Sequence, residues 1–142
     1  MKKCLLNIVL VLFIHGLSFS QSYRIYVPKI LIVKEFSDTN QYKEIDHTPF
    51  DGERGNSLVY NSFNSRAIHV FFFDKYDFCE EEMILCPLDV SYTILKHIMP
   101  FECEKVKANL WRYTDGNEIY CRWIDLGDSK ALNIFPKELM KN

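Results

Sequence analysis

The stretch "VFFFDKYDFCEEEMIL", Val70 to Leu85, constrains the fold of this chain more than any other. Four apolar residues enter a charged, aromatic-studded turn and a second apolar run leaves it, which is the pattern of a β-hairpin. The same rhythm recurs along the sequence. "KILIVKEF" (Lys29 to Phe36) is apolar and β-branched and reads as a strand, "SDTNQ" as a turn cluster, and "YKEIDH" alternates. "TPFDGERGNS" (Thr48 to Ser57) carries one Pro and two Gly and reads as a long surface loop before the strands "SLVY" and "RAIHVFFF". In "PLDVSYTILKHIMPF", Val90, Ile94, Leu95 and Ile98 fall at helical spacing, which leaves a short helix or a turn-rich crossover open. "KVKANLWRY" alternates Val106, Ala108 and Leu110 inward, Asp115-Gly116 is expected to form a two-residue turn, and "EIYCRWI" returns antiparallel near Leu110 and Trp111. The tail "DLGDSKALNIFPKELMKN" has weak patterning and is expected to be partly mobile.

Within the Val70–Leu85 hairpin, Phe73, Tyr76 and Phe78 are expected to cover the corner of the fold. Each would contribute roughly 1.5–3 kcal/mol if buried. The acidic residues around them are expected to stay in water.

The first residues are read differently. "MKKCLLNIVLVLFIHGLSFSQS" joins two lysines, an apolar run from Leu5 to Ile14 and small residues at Ser18 and Ser20, the anatomy of a secretory signal peptide. The expected organisation is a signal peptide over residues 1–20, one domain over 21–124 and a C-terminal tail over 125–142. A secreted, extracellular protein with no membrane span follows. Once Lys2 and Lys3 are removed, 15 basic residues face 19 acidic ones, a charge near −4 that offers no footprint for nucleic acid or an anionic membrane. Cys4 leaves with the signal, and Cys79, Cys86, Cys103 and Cys121 remain. An even count in an oxidising compartment points to two disulfides, each contributing roughly 2–4 kcal/mol. If Glu80 to Leu85 is one strand, Cys79 and Cys86 are more than about 20 Å apart. That disfavours their pairing and leaves the two pairings that join them to Cys103 and Cys121. No acceptor for N-glycosylation occurs after the signal.

A loose repeat runs through the pattern. "ILIVKEFSDTNQYKEI" aligns with "VFFFDKYDFCEEEMI", and each is followed by a Phe-polar segment leading to another strand, "SFNSRAIHV" and "PFECEKVKANL". Two copies of four short strands suggest paired Greek keys packed as a sandwich, an all-β fold. Over Lys29 to Arg112 this pattern resembles the βγ-crystallins. The likeness lies in the hairpins "EFSDTNQYKE" and "FFDKYDFCEE" and in closing strands near Ser65 and Lys105. The usual hairpin glycine and the second closing serine are missing. With its extra hairpin "YTDGNEIYCRW", the chain is most similar to the schistosome egg interleukin-4-inducing principle (alpha-1) group. That resemblance implies a secreted parasite effector, an immunomodulator that binds host immunoglobulin such as IgE and chemokines. The group's glycosylation sites, its odd cysteine for a covalent dimer and its basic nuclear-targeting tail are all missing, so a monomer or a non-covalent dimer is expected.

Residue by residue, chemistry finds little to hold on to. Calcium binding of the crystallin type retains only Asn61 and Ser65 in "YNSFNS", and the window "PFECEK" retains nothing. His47, His69 and His97 lack the spacing of a zinc site, so no metal and no cofactor is expected. His69 and His97 are the residues a small secreted enzyme would use, but no nucleophile elbow, phosphate loop or paired-His motif accompanies them. A non-enzymatic role is expected, with a structural matrix protein as the alternative. The binding candidates are Trp111, Arg112, Tyr113, Arg122 and Trp123 on the terminal hairpin, because Trp, Tyr and Arg are the usual interface anchors. Alternation places Trp111, Tyr113 and Trp123 on one face and Tyr120 on the other. The competing reading packs this hairpin into the domain.

Overall fold

The computed structural model describes residues 23–45 and 56–140, so the signal segment, His47 and nearly all of the Thr48–Ser57 loop lie outside the described residues. The first described element is a helix rather than a strand. Pro28 fixes φ at −60° at the N-cap and its carbonyl accepts hydrogen bonds from Leu31 (3.0 Å) and Ile32 (3.3 Å), opening α1 over Lys29–Ser37. The β-branched run argued for a strand, but Ile32 and Phe36 stand one turn apart and are both buried. Burying that i, i+4 pair against the sheet outweighs a propensity difference of only a few tenths of a kcal/mol per residue.

Eight strands follow: β1 (Tyr42–Glu44), β2 (Ser57–Ser62), β3 (Ile68–Phe73), β4 (Cys79–Pro87), β5 (Cys103–Lys107), β6 (Leu110–Tyr113), β7 (Ile119–Asp125) and β8 (Ser129–Pro136). Between β4 and β5 the chain is helical, as α2 (Leu88–Thr93), one π-helical stretch (Ile94–Ile98) and α3 (Met99–Glu102). The helical spacing of "PLDVSYTILKHIMPF" therefore marked a bent helix. All strands among the described residues lie in one antiparallel sheet of order β1-β2-β3-β4-β8-β7-β6-β5. The fold is predominantly β, as expected, but the described strands form two meanders joined edge to edge through β4 and β8. The Greek-key order would return a fourth strand beside the first, and none of the neighbours here does so. The repeat in three dimensions likewise differs from the one in the sequence: a helix and four strands, α1–β4, are followed by a bent helix and four more, α2–β8.

The segment after Asp125 is the largest departure. Instead of a mobile tail it supplies β8, which pairs with β4 from Glu82↔Ile134 to Pro87↔Ser129 and with β7 from Ile119↔Pro136 to Asp125↔Lys130. A boundary at 124/125 cuts through the middle of the sheet. Both faces of β8 are apolar, Leu132 and Ile134 on one and Ala131 and Phe135 on the other, which erases the alternation that marks a half-exposed strand.

One face of the sheet carries the main core: Tyr60, Phe71, Phe73, Ile119, Cys121, Trp123, Leu132 and Ile134 pack with Ile32 and Phe36 of α1 and Met99 of α3. The opposite face holds smaller clusters around Val59, Val70 and Phe72 and around Leu110, Tyr120 and Phe135. At the tip of the β3–β4 hairpin only Phe73 is buried. Tyr76 and Phe78 are exposed, because Asp74 closes the turn through its own carboxylate, accepting Tyr76 N–H at 2.8 Å and Phe78 N–H at 3.0 Å. Val106 and Ala108, expected inward, are exposed, while Leu110 is buried. The β6–β7 connection runs over Thr114–Glu118 rather than two residues, with Gly116 at φ +87°. Among the described residues no helix is long and apolar enough to cross a membrane.

The four cysteines among the described residues are buried free thiols, so the expected disulfides are absent there. Cys79 and Cys86 do lie at opposite ends of β4, as the spacing implied. The strand order separates them from the other two: β8 stands between β4 and β7, roughly 10 Å across at about 4.8 Å per strand. A disulfide tolerates about 7 Å between Cα atoms.

Candidate functional site

The terminal hairpin turns its aromatics inward. Trp123 is 6% exposed and its indole N–H donates to the Met99 sulfur at 2.9 Å, while Tyr113 is 7% exposed and packs edge-on to Tyr23 with ring centroids 4.7 Å apart. Trp111 is half-buried on the same face beneath the Lys105 ammonium, 5.8 Å from its ring centroid. The sequence therefore located the shared face of Trp111, Tyr113 and Trp123 correctly, and that face is core. The two arginines point to the other side: Arg112 is exposed and ion-paired with Glu104, and Arg122 lies 5.4 Å over the Phe135 ring. The five residues are thus divided between two faces.

His69 and His97 separate as well. His97 is exposed on the π-helical stretch. His69 meets a carboxylate, with its Nδ1 3.9 Å from Glu82 Oε1, but the imidazole is packed among Phe36, Tyr42 and Phe71 at ring distances of 5.5–6.4 Å. Glu82 is buried and accepts the Arg24 backbone N–H at 2.9 Å, and the Arg24 guanidinium clamps Glu35 of α1. These contacts tie the N-terminal segment to α1 and the sheet. Among the described residues no group of three His, Cys, Asp or Glu side chains is arranged to hold a metal.

Three of the thiols are held protonated by their surroundings. Burial raises the Cys86 thiol to about 11 and pushes the Cys79 thiol further up. The neighbouring Cys103 thiol, then burial, push Cys121 up as well. Cys79, Cys86 and Cys121 are therefore not ready nucleophiles at neutral pH.

An open apolar concavity lies beside α1. The segment before α1 runs antiparallel to the start of β4: Tyr26 N–H donates to Cys79 C=O (2.7 Å), Cys79 N–H to Val27 C=O (3.0 Å) and Lys29 N–H to Asp77 C=O (2.8 Å). This pairing holds α1 beside the β3–β4 turn and leaves between them a groove of about 450 Å³ lined by Pro28, Lys29, Ile30, Val33, Tyr76, Asp77 and Phe78. Ile30 is 72% exposed, Tyr76 70% and Phe78 42%. A polar relay braces the groove, in which Lys29 Nζ donates to Asn56 Oδ1 and Asn56 Nδ2 to Asp77 Oδ1, both at 2.6 Å. Asp77 itself sits at φ +63°, a left-handed conformation this relay helps to hold. Sequence reasoning missed this site because it assigned Tyr76 and Phe78 to the core and α1 to a strand. The signal was present in Ile30 and Leu31, which fall outside the Ile32/Phe36 stripe once the segment is read as a helix.

No known protein family, curated protein or solved structure matches this chain.

Proposed function

We propose that this protein is a secreted, non-catalytic binding module that engages another extracellular protein through the groove between α1 and the β3–β4 turn. The observation that carries this reading is the exposure of Ile30, Tyr76 and Phe78 around one braced concavity. A contiguous apolar surface with an aromatic rim and a fixed polar frame is what a protein partner's apolar side chain fits. The enclosure of His69 by three rings supports a non-catalytic role. The signal-like leader supports secretion, and the resemblance to the interleukin-4-inducing egg proteins makes IgE and chemokines the first partners to try.

The test is surface plasmon resonance of the chain from Gln21 to Asn142 over immobilised IgE, IgG and a chemokine panel. Saturable binding to one of them is expected, weakened at least about tenfold by Tyr76→Ala or Ile30→Glu, the size of a hot-spot truncation. Binding that both variants leave intact would move the interface elsewhere. No binding by the folded protein would remove these partners.

A further inference from the structure

A second concavity lies under the bent helix on the main core face. It measures about 250 Å³ and is lined by Ile84, Ile94, Met99, Glu102, Cys103, Tyr113, Leu132 and Ile134. Ile94 opens the π-helical stretch, a local widening of the helix that recurs at functional sites in proteins generally. The walls are aliphatic, aromatic and thioether apart from one carboxylate and one thiol.

The carboxylate is Glu102, and the fold holds it in place. Its backbone carbonyl accepts both the N–H (3.0 Å) and the Oγ1–H (3.1 Å) of Thr114, which fixes the end of α3 against β6. Among the described residues its side-chain oxygens have neither a hydrogen-bond donor nor a cation. Two other carboxylates on this side of the sheet are engaged: Glu82 accepts Arg24 N–H and Glu35 holds the Arg24 guanidinium. Among the described residues lining this concavity, Glu102 offers an unmet anionic acceptor.

We infer that this cavity binds a small hydrophobic amine, its apolar body against Ile84, Ile94, Met99, Leu132 and Ile134 and its ammonium on Glu102. The volume sets the size. An apolar cavity of about 150 Å³ holds benzene, so 250 Å³ holds a ring with a short chain, roughly ten non-hydrogen atoms. The charge sets the head group. Glu102 repels a carboxylate, and a neutral molecule leaves it without a partner, whereas an ammonium makes a charge-assisted hydrogen bond. This site is separate from the α1 groove, with which it shares no residue.

The test is titration calorimetry of the folded protein with 2-phenylethylamine, alongside the near-isosteric 2-phenylethanol and the anionic 3-phenylpropionate. Trp123 fluorescence serves as a second readout, because its indole touches Met99 at the cavity wall. Saturable binding of the amine is expected, about tenfold or more tighter than the alcohol, as a hydrogen bond to a charged group provides. Binding of the anion should be undetectable. Glu102→Gln should bring amine and alcohol to within about threefold of each other by removing that charge. Ile94→Phe, which fills the chamber, should abolish binding of both while the near-ultraviolet circular dichroism stays native. The proposal is overturned if none of the three probes saturates, if Ile94→Phe leaves amine binding unchanged, or if Glu102→Gln keeps the preference for the amine.

Discussion

Phe36 of α1 stands 4.4 Å from the Tyr42 ring, 4.9 Å from Tyr60, 5.0 Å from Phe71 and 5.6 Å from His69. In the other half of the sheet the helical elements are α2, the π-helical stretch and α3. There Ile94 and Met99 leave about 250 Å³ unfilled over Leu132 and Ile134. The two halves share a plan, a helix and a four-stranded meander, yet one is plugged by an aromatic cluster and the other is hollow. The difference teaches where the two concavities lie: the half plugged by aromatics presents a braced groove outside α1, and the other half a concavity beneath its helical segment.

Removing the link between the halves should have the largest effect. A chain ending at Asp125 lacks β8 and with it the pairing to both β4 and β7. It is expected to show no cooperative thermal transition in circular dichroism, whereas a cooperative transition would mean that the first half folds without the second. Point substitutions compare the halves directly. Phe36→Ala should cost about 3–5 kcal/mol in urea denaturation, the range for a well-packed aromatic. Met99→Ala should cost about 2 kcal/mol, the low end for a buried methionine, because its site already borders empty space. Equal losses would mean the halves are equally packed.

Alkaline pH should bring a smaller, graded loss. Burial and then the hydrogen bond to Asp115 raise the Tyr23 hydroxyl from 10.0 to about 12, and burial raises Cys86 from 9.0 to about 11. Both groups hold their proton more tightly folded than unfolded, so their contribution is complete below about pH 9 and is lost as pH rises through 11 and 12. The melting temperature should be level from about pH 7 to 8.5 and then fall towards 12. Tyr23→Phe should flatten the upper part of that fall.

How much of this was legible in the sequence depends on what each residue had to report. β2, β3 and β4 were readable because "SLVY", "HVFFF" and "EEEMIL" are short, apolar or alternating and bounded by turns. α1 was not, because Ile30, Ile32 and Val33 carry strand propensity, and only packing against the sheet decides that the Ile32/Phe36 spacing wins. β8 was hidden by being central, with apolar side chains on both faces. For the binding site, alternation grouped Trp111, Tyr113 and Trp123 but cannot say which face meets the core. That depended on Tyr23 and Met99, which come from distant parts of the chain.

The most direct measurement of the contrast between the halves is methyl NMR of the labelled protein under increasing xenon pressure, since xenon enters empty apolar cavities. The account predicts saturable shifts for the methyls of Ile94, Met99, Leu132 and Ile134, with Ile32 beside Phe36 unmoved. Shifts at Ile32 as large as those at Met99, or no saturable shift at the chamber, would contradict it.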